Sequence, residues 1–375
     1  MRNSTRTLPV LVFLLLAFAA SRFTPSSAQP TSWRQASRTT SAEWLRSPRA
    51  TALADTIMAY QLPSGGWGKN HDWMKGGDRQ EWLTAASTGI GATIDNGATH
   101  EELLFLARVV EARSATIPAS TDVVSIRARV AFEAGLDYLL GMQYENGGYP
   151  QFYPPKSPTH YSRHITFNDG AMTSVLRLLR DVSDEVPPYA SLNLSASLIR
   201  LSSYAYQRGL NCLLDCQIRR GDTLAVWCQQ HDAETLLPAP ARAYELPSYS
   251  GTGETVEILR LLMEEKDPSP EVIEAVDAAV LWLRTHALKG VRVEQFTNAD
   301  GQRDIRLVSD ASAPLLWARF YDLEEGRPFV CDRDGVPHRS LSEIGHERRN
   351  GYSWYGTQPQ VVLDAYEQWR KRVAP

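Results

Sequence analysis

The chain repeats itself, and the repeat limits what it can fold into. Gln61-Leu62-Pro63-Ser64-Gly65-Gly66-Trp67 and Gln143-Tyr144-Glu145-Asn146-Gly147-Gly148-Tyr149 share the pattern Gln, three residues, Gly-Gly-aromatic, 82 residues apart. A looser copy runs from Gln217 through Gly221 to Trp227. A second pattern follows: Thr93-Ile94-Asp95-Asn96-Gly97-Ala98 and Thr166-Phe167-Asn168-Asp169-Gly170-Ala171 align as Thr-apolar-(Asp/Asn)-(Asn/Asp)-Gly-Ala, 73 residues apart. Ser248 to Glu254 occupies the equivalent place after the third copy. A long helix, a glycine-aromatic loop and a polar helix start, recurring about every 75–80 residues, read as stacked α/α hairpins. One α/α barrel or toroid, with irregular loops forming a cleft, is their natural closure.

Helical signals fill the stretches between. Ser269-Pro270-Glu271 supplies an N-cap, a proline at the first helical position and an early acid, and Val272, Val276, Ala279, Val280 and Leu283 then recur at helical spacing. Thr99 and Glu102 have the spacing of a capping box ahead of Leu103, Leu106 and Val110. Further helices are predicted over 48–60, 122–143, 170–182, 196–217, 254–264 and 360–373. Strand alternation is scarce, so the expected fold class is all-α, with residues 42–375 as a single barrel domain.

The first 28 residues read as an address. Arg2 and Arg6 precede an apolar run from Leu8 to Ala20, then Ser26-Ser27-Ala28 supplies a small-residue cleavage pattern, as in a secretory signal peptide. The run is too short to span a bilayer. A secreted or periplasmic protein with a flexible Ser/Thr/Arg-rich leader over 29–41 is expected.

Charge is nearly balanced, with 39 basic against 43 acidic residues and a formal net of -4. That leaves no overall basic footprint for nucleic acid, and neither nucleic acid nor a membrane is an expected partner. The expected state is a monomer. Cys212, Cys216 and Cys228 could be strung together as a zinc site, but the helical stretch between them and the single nearby His231 favour buried apolar thiols. Ten Trp and fifteen Tyr, several beside Gly or Pro in loops, suit either core packing or a sugar site.

In a helical-hairpin barrel the inner helix starts gather at one end, bringing free N–H groups and positive dipole ends. Asp95, Asn96, Asn168 and Asp169 can be read there as ordinary caps. Their recurrence with Gly-Ala also allows paired carboxylates that bind calcium or act as an acid and base.

Beyond the repeat, the chain resembles the pectate lyases of polysaccharide lyase family ten. The likeness is carried by Gly65-Gly66-Trp67-Gly68-Lys69-Asn70, the two Thr-apolar-(Asp/Asn)-(Asn/Asp)-Gly-Ala strings, Tyr149-Pro150-Gln151-Phe152-Tyr153-Pro154, Trp227-Cys228-Gln229-Gln230-His231-Asp232, Ala241-Arg242-Ala243-Tyr244-Glu245-Leu246-Pro247-Ser248, Trp317-Ala318-Arg319-Phe320-Tyr321, Asp332-Arg333-Asp334-Gly335 and Glu347-Arg348-Arg349-Asn350-Gly351-Tyr352. The resemblance implies an (α/α) barrel that cleaves polygalacturonate by calcium-assisted β-elimination. It implies Asp95 and Asp169 as calcium and substrate ligands, Arg242 as the catalytic base, and Arg319 and Arg333 as holders of the substrate carboxylate. Lys69, Asn96 and Thr99 follow as substrate-binding candidates from the motif's neighbourhood.

The chemistry asks for these residue types. Removing the C5 proton of a uronate builds negative charge on its carboxylate, which a divalent cation and arginine forks stabilise. An arginine base is the awkward step, since its pKa lies above 12. Taken alone, Arg242 near Glu245 reads as a surface ion pair, Arg319 beside Trp317 and Phe320 as a snorkelling side chain, and Arg348-Arg349 as either a substrate contact or a solvated pair. Two other functions remain at this point: a glycoside hydrolase using Asp95 and Asp169, and a non-catalytic pectin-binding protein.

Overall fold

The computed structural model describes residues 29–374, apart from 77–79, 83, 85–90 and 119; the signal-peptide segment 1–28 lies outside the described residues. Helices form in chain order as α1 (Trp33–Ala36), α2 (Ala42–Leu45), α3 (Pro48–Ala59), α4 (His100–Ser114), α5 (Val123–Gly141), α6 (Ala171–Ser183), α7 (Ala196–Asp215), α8 (Gly253–Met263), α9 (Pro270–Thr285), α10 (His346–Asn350) and α11 (Pro359–Arg372). The inner helices α4, α6 and α8 pack side by side, and α3, α5, α7 and α9 line up outside them. α11 lies against α8 and α9. Among the described residues no helix is long and apolar enough to cross a membrane.

The glycine-aromatic loops explain the stacking. The Gln61 amide donates to Gly65 O and to Ala131 O of α5 (2.6 and 2.7 Å). Gln143 repeats this with Gly147 O and Ala205 O of α7 (3.0 and 2.8 Å). Gln217 repeats it with Ala225 O and Ala275 O of α9 (2.8 and 3.0 Å). Each loop therefore clasps the next outer helix. Gly65 and Gly147 sit at φ +97° and +91° against the backbones of Ala134 and Arg208, where a Cβ would collide. The aromatic that follows is buried, and the indoles of Trp67, Trp227 and Trp317 each donate back to the preceding outer helix, at Ile57 O, Leu213 O and Leu283 O (2.7–2.8 Å).

The all-α expectation is overturned. Helix accounts for 46% of the structure and strand for 13%, the strands among the described residues forming five small antiparallel sheets. The largest sheet joins Tyr249–Ser250, Phe320–Tyr321, Pro328–Cys331 and Pro337–His338. The longest hairpin pairs Val291–Thr297 with Arg303–Ser309. Its faces are largely solvated, so its apolar alternation is too sparse to stand out in the sequence. Arg349 of α10 anchors it through a two-point ion pair with Asp304 (both 2.7 Å).

The expectation of a loose leader also fails. Trp33 is buried against Phe105 (5.5 Å between rings) and donates its N–H to Asp72 (2.8 Å). Ser37 is held by Glu101 and Arg108 (3.1 and 2.7 Å). One large aromatic and one buried polar residue suffice to fasten this short segment. The capping box at Thr99 is likewise absent: Thr99 sits at φ +67° with no cap bond, and Glu102 turns inward to accept from Trp73 Nε1 (2.8 Å).

All four cysteines are free and buried; among the described residues no cluster of three or more His, Cys, Asp or Glu is arranged to hold a metal. His231 is a structural hydrogen-bonding histidine. Its Nε2 accepts from Cys228 N–H (3.0 Å) and its Nδ1 faces Leu236 O (2.8 Å), which requires the neutral Nδ1–H tautomer. Burial lowers its pKa to about 4, in keeping with that form.

Candidate active site

Three helix starts meet at one end. The first two are tight turns before α4 and α6, and their second residues, Asn96 and Asp169, take up left-handed backbone (φ +52° and +53°). A glycine at φ +85° or +71° follows each, which is why the Gly of the motif is fixed. The third start is that of α8, whose first turn contributes the buried Glu254.

Glu254 organises the centre. It accepts from Arg319 Nη2 (2.7 Å), Gln229 Nε2 (3.0 Å) and Ser250 Oγ (2.6 Å). Burial would raise its pKa, but these partners outweigh burial and hold the carboxylate below its usual range. Arg319 also donates to Asn168 Oδ1 (2.9 Å) and lies over the Tyr352 ring (4.6 Å). Burial works against its charge, yet Glu254 keeps Arg319 above its ordinary pKa. It is therefore a buried, paired cation and not a snorkelling surface arginine.

Asp169 accepts from Asn168 Nδ2 (2.6 Å). Burial, then the charges of Glu254 and Asp95, push its pKa up against the pull of Arg319 and Arg242. Asp95 is nearly inaccessible; its Oδ2 pairs with Lys69, while its Oδ1 is buried with no partner. An unsatisfied carboxylate oxygen beside a second, crowded carboxylate is a deficit of positive charge. Asp95 and Asp169 thus fit as two oxygen donors to a hard cation, but calcium takes 6–8 oxygens. Substrate carboxylates and water would have to complete such a shell.

Arg242 grips Glu245 at two points, Nε to Oε2 (2.7 Å) and Nη2 to Oε1 (2.5 Å), and Tyr352 also donates to Glu245 (2.8 Å). Burial alone would lower the Arg242 pKa, but the Glu245 pair raises it above its ordinary value. The pair is not a surface one, since the Glu245 side chain is 1% exposed against 43% for Arg242. Arg333 is exposed, bound to Glu347 (3.0 and 3.1 Å) and near the Tyr244 ring. Arg348 is buried, stacked on Tyr244 at 4.3 Å, so the basic pair divides: Arg349 holds the hairpin and Arg348 packs among aromatics.

A cavity of about 790 Å³ opens beside this centre, lined by Lys69, Asn96 and Asp169 among others. Asn96 donates to Asn70 (3.0 Å). Thr99, a substrate-binding candidate from sequence, is fully buried; its hydroxyl donates to Thr93 O (2.8 Å) and accepts from Trp67 N (3.0 Å), so it ties the turn to the loop and does not reach a ligand. Glu254, Gln229 and Tyr352 are site residues that sequence reasoning passed over, while Asn168 and Glu245 entered it only as a helix cap and as an ion-pair partner of Arg242. An acid in the first turn of the third helix start and a glutamate three residues after Arg242 were the available signals.

The sequence model for pectic acid lyase matches residues 61–363. The chain belongs to the pectic acid lyase family. A family 10 polysaccharide lyase from Cellvibrio cellulosa is similar in structure, with a TM-score of 0.71, 32% identity, and coverage of 88% of this chain and 96% of that one. An aspartate-to-alanine mutant of the Cellvibrio cellulosa lyase, in complex with trigalacturonic acid, is similar at TM-score 0.71 and 31% identity, covering 88% of this chain and 97% of that one. No curated protein matches the chain. The molecule is a polysaccharide lyase, which replaces the hydrolase and non-catalytic binding readings.

Proposed function

We propose that this lyase cleaves de-esterified polygalacturonate by calcium-dependent β-elimination, giving 4,5-unsaturated oligogalacturonates, after secretion to the periplasm or the medium. The convergence of Asp95, Asp169, Arg319 and Arg242 on one end of the helical stack, from four separate segments, carries this reading. The similar mutant lyase complexed with trigalacturonic acid supports the substrate class, and the Arg2 to Ala28 pattern supports secretion.

Calcium, held through Asp95 and Asp169, would withdraw charge from the uronate carboxylate and so acidify the C5 proton. Asn168 and Glu254 orient the protein side of that site by fixing Asp169 and Arg319. Lys69 and Arg319 add positive potential where the carboxylate becomes enolate-like. Arg242 takes the C5 proton only after its guanidinium has released one to solvent and left Glu245. The exposed partner is the one that moves, and Glu245 keeps the Tyr352 hydroxyl when it does. The C5–H electron pair then forms the C4–C5 double bond as the C4–O bond breaks, the departing oxygen taking a proton from water. Arg333 offers a rim cation to a neighbouring carboxylate in exchange for Glu347.

Polygalacturonate incubated with and without chelator tests this reading. Ultraviolet absorbance of the new double bond should rise with calcium and stop with chelator; saturated products, or indifference to chelator, would overturn it. Arg242→Ala should lower turnover by about 10²–10⁴-fold while oligogalacturonate binding persists, and near-normal turnover would remove Arg242 as the base.

A further inference from the structure

The cleft has a second group of cations that the elimination does not use. Ser32, Trp33, Arg34 and Arg38 line the same cavity as Lys69, Asn96 and Asp169. They lie upstream of the residues matched by the family model, which begin at 61. This wall is not a trailing end. Trp33 and Ala36 are buried, and Asp72 at Trp33, with Glu101 and Arg108 at Ser37, holds the residue immediately before each of the two arginines.

Arg34 and Arg38 stand four residues apart, both exposed. Neither has a side-chain hydrogen bond or ion pair among the described residues. That separates them from Arg242, Arg319 and Arg333, each of which already holds a glutamate. Of the four acids in the same lining, Asp169 belongs to the cleavage site and the other three already accept hydrogen bonds. Asp72 accepts from Trp33 N and Met74 N (2.8 and 3.3 Å), and Glu101 accepts from Ser37. Glu102 accepts from Trp73, and burial pushes its pKa up to about 7, so much of it is neutral near neutral pH.

We propose that Arg34 and Arg38 form a distal uronate subsite, binding carboxylates of the acidic polysaccharide at a distance from the bond that is cleaved. The inference rests on the polygalacturonate reading. A guanidinium presents a planar fork that matches a carboxylate at two points, and an arginine without a partner has none to surrender on binding. A polyuronate carries a carboxylate on every sugar, so a chain long enough to pass the helix starts meets both arginines, while a short oligomer at the cleavage point does not. The segment thus makes the enzyme length-selective.

The test compares wild type with the double variant R34A/R38A on oligogalacturonates from the trimer upward and on polygalacturonate, following unsaturated product. The polymer KM should rise about tenfold, the trimer KM should change far less, and R34K/R38K should recover part of the difference. An unchanged polymer KM, or an equal rise for trimer and polymer, would overturn the subsite. If wild type yields no unsaturated product, the proposed function fails instead. Retardation of the folded proteins in gels containing polygalacturonate then decides the subsite separately: loss of retardation in R34A/R38A upholds it, and equal retardation overturns it.

Discussion

The turns before α4 and α6 have nearly the same backbone and different chemistry. In both, the first polar residue points inward and the second sits in left-handed backbone ahead of a glycine. Yet the order of acid and amide is reversed, so the buried position holds the Asp95 carboxylate in one and the Asn168 amide in the other. Asp95 faces Lys69, whereas Asn168 bridges Arg319 and Asp169. The helices differ as well: α4 buries Glu102, and the corresponding position of α6 is Val175. Repetition preserved a turn and let each copy take a separate electrostatic duty. Two carboxylates set at inequivalent places in equivalent turns give an asymmetric site.

The largest effect that would expose this asymmetry is expected from Asp169→Ala. Its elimination rate at limiting calcium should fall on the order of 100-fold, with recovery at higher calcium. A calcium titration superimposable on wild type would reduce the second turn to a helix cap. Making the second turn resemble the first by Asn168→Asp adds a buried carboxylate beside Asp169 and Glu254, with Arg319 already committed. Denaturant unfolding should show a loss of roughly 3–4 kcal/mol; unaltered stability would mean the two turns are interchangeable.

Glu102 tests the first copy alone. Its folded pKa of about 7 lies above the ordinary 4.5, chiefly through burial, with the Trp73 bond opposing. The folded protein therefore binds the proton more tightly, and wild type loses stability as pH rises from about 4.5 through 7. Glu102→Gln should gain roughly 2–3 kcal/mol above pH 7 and nothing below pH 4.5. Parallel stability curves across that range would show that Glu102 does not titrate this way. The smallest effect belongs to Thr99→Ala, which should cost roughly 1–2 kcal/mol in stability through its lost bonds to Trp67 and Thr93. A raised KM with unchanged stability would restore Thr99 as a ligand-binding residue.

Much of the helical frame was legible because its signals are local. The loop pattern at Gln61 and Gln143 and the Pro270 start each report on a few adjacent residues, and the predicted helices fall within a few residues of those observed. The strands were not legible for two reasons: the local hairpin of Val291–Thr297 and Arg303–Ser309 is largely solvated and shows little apolar alternation, and pairings such as Tyr249 with Tyr321 join residues far apart in the chain. The repeat brought Asp95 and Asp169 to notice and family resemblance added Arg242 and Arg319, but of their partners only Glu245, close to Arg242 in the chain, was legible. Glu254 shows why: it reads as an ordinary first-turn acid, and its importance comes from Arg319 and Gln229 reaching it across the fold. Thr99 erred the other way, because a hydroxyl next to a functional string is as well suited to holding the backbone as to meeting a ligand.

The three glutamine clasps have a direction. Each amide is left half-paired until the following outer helix arrives, so Gln61 waits for α5, Gln143 for α7 and Gln217 for α9. On a ribosome these helices emerge in that same order. The clasps thus fasten each outer helix to the loop that precedes it, and the order of the stack is the order of the chain.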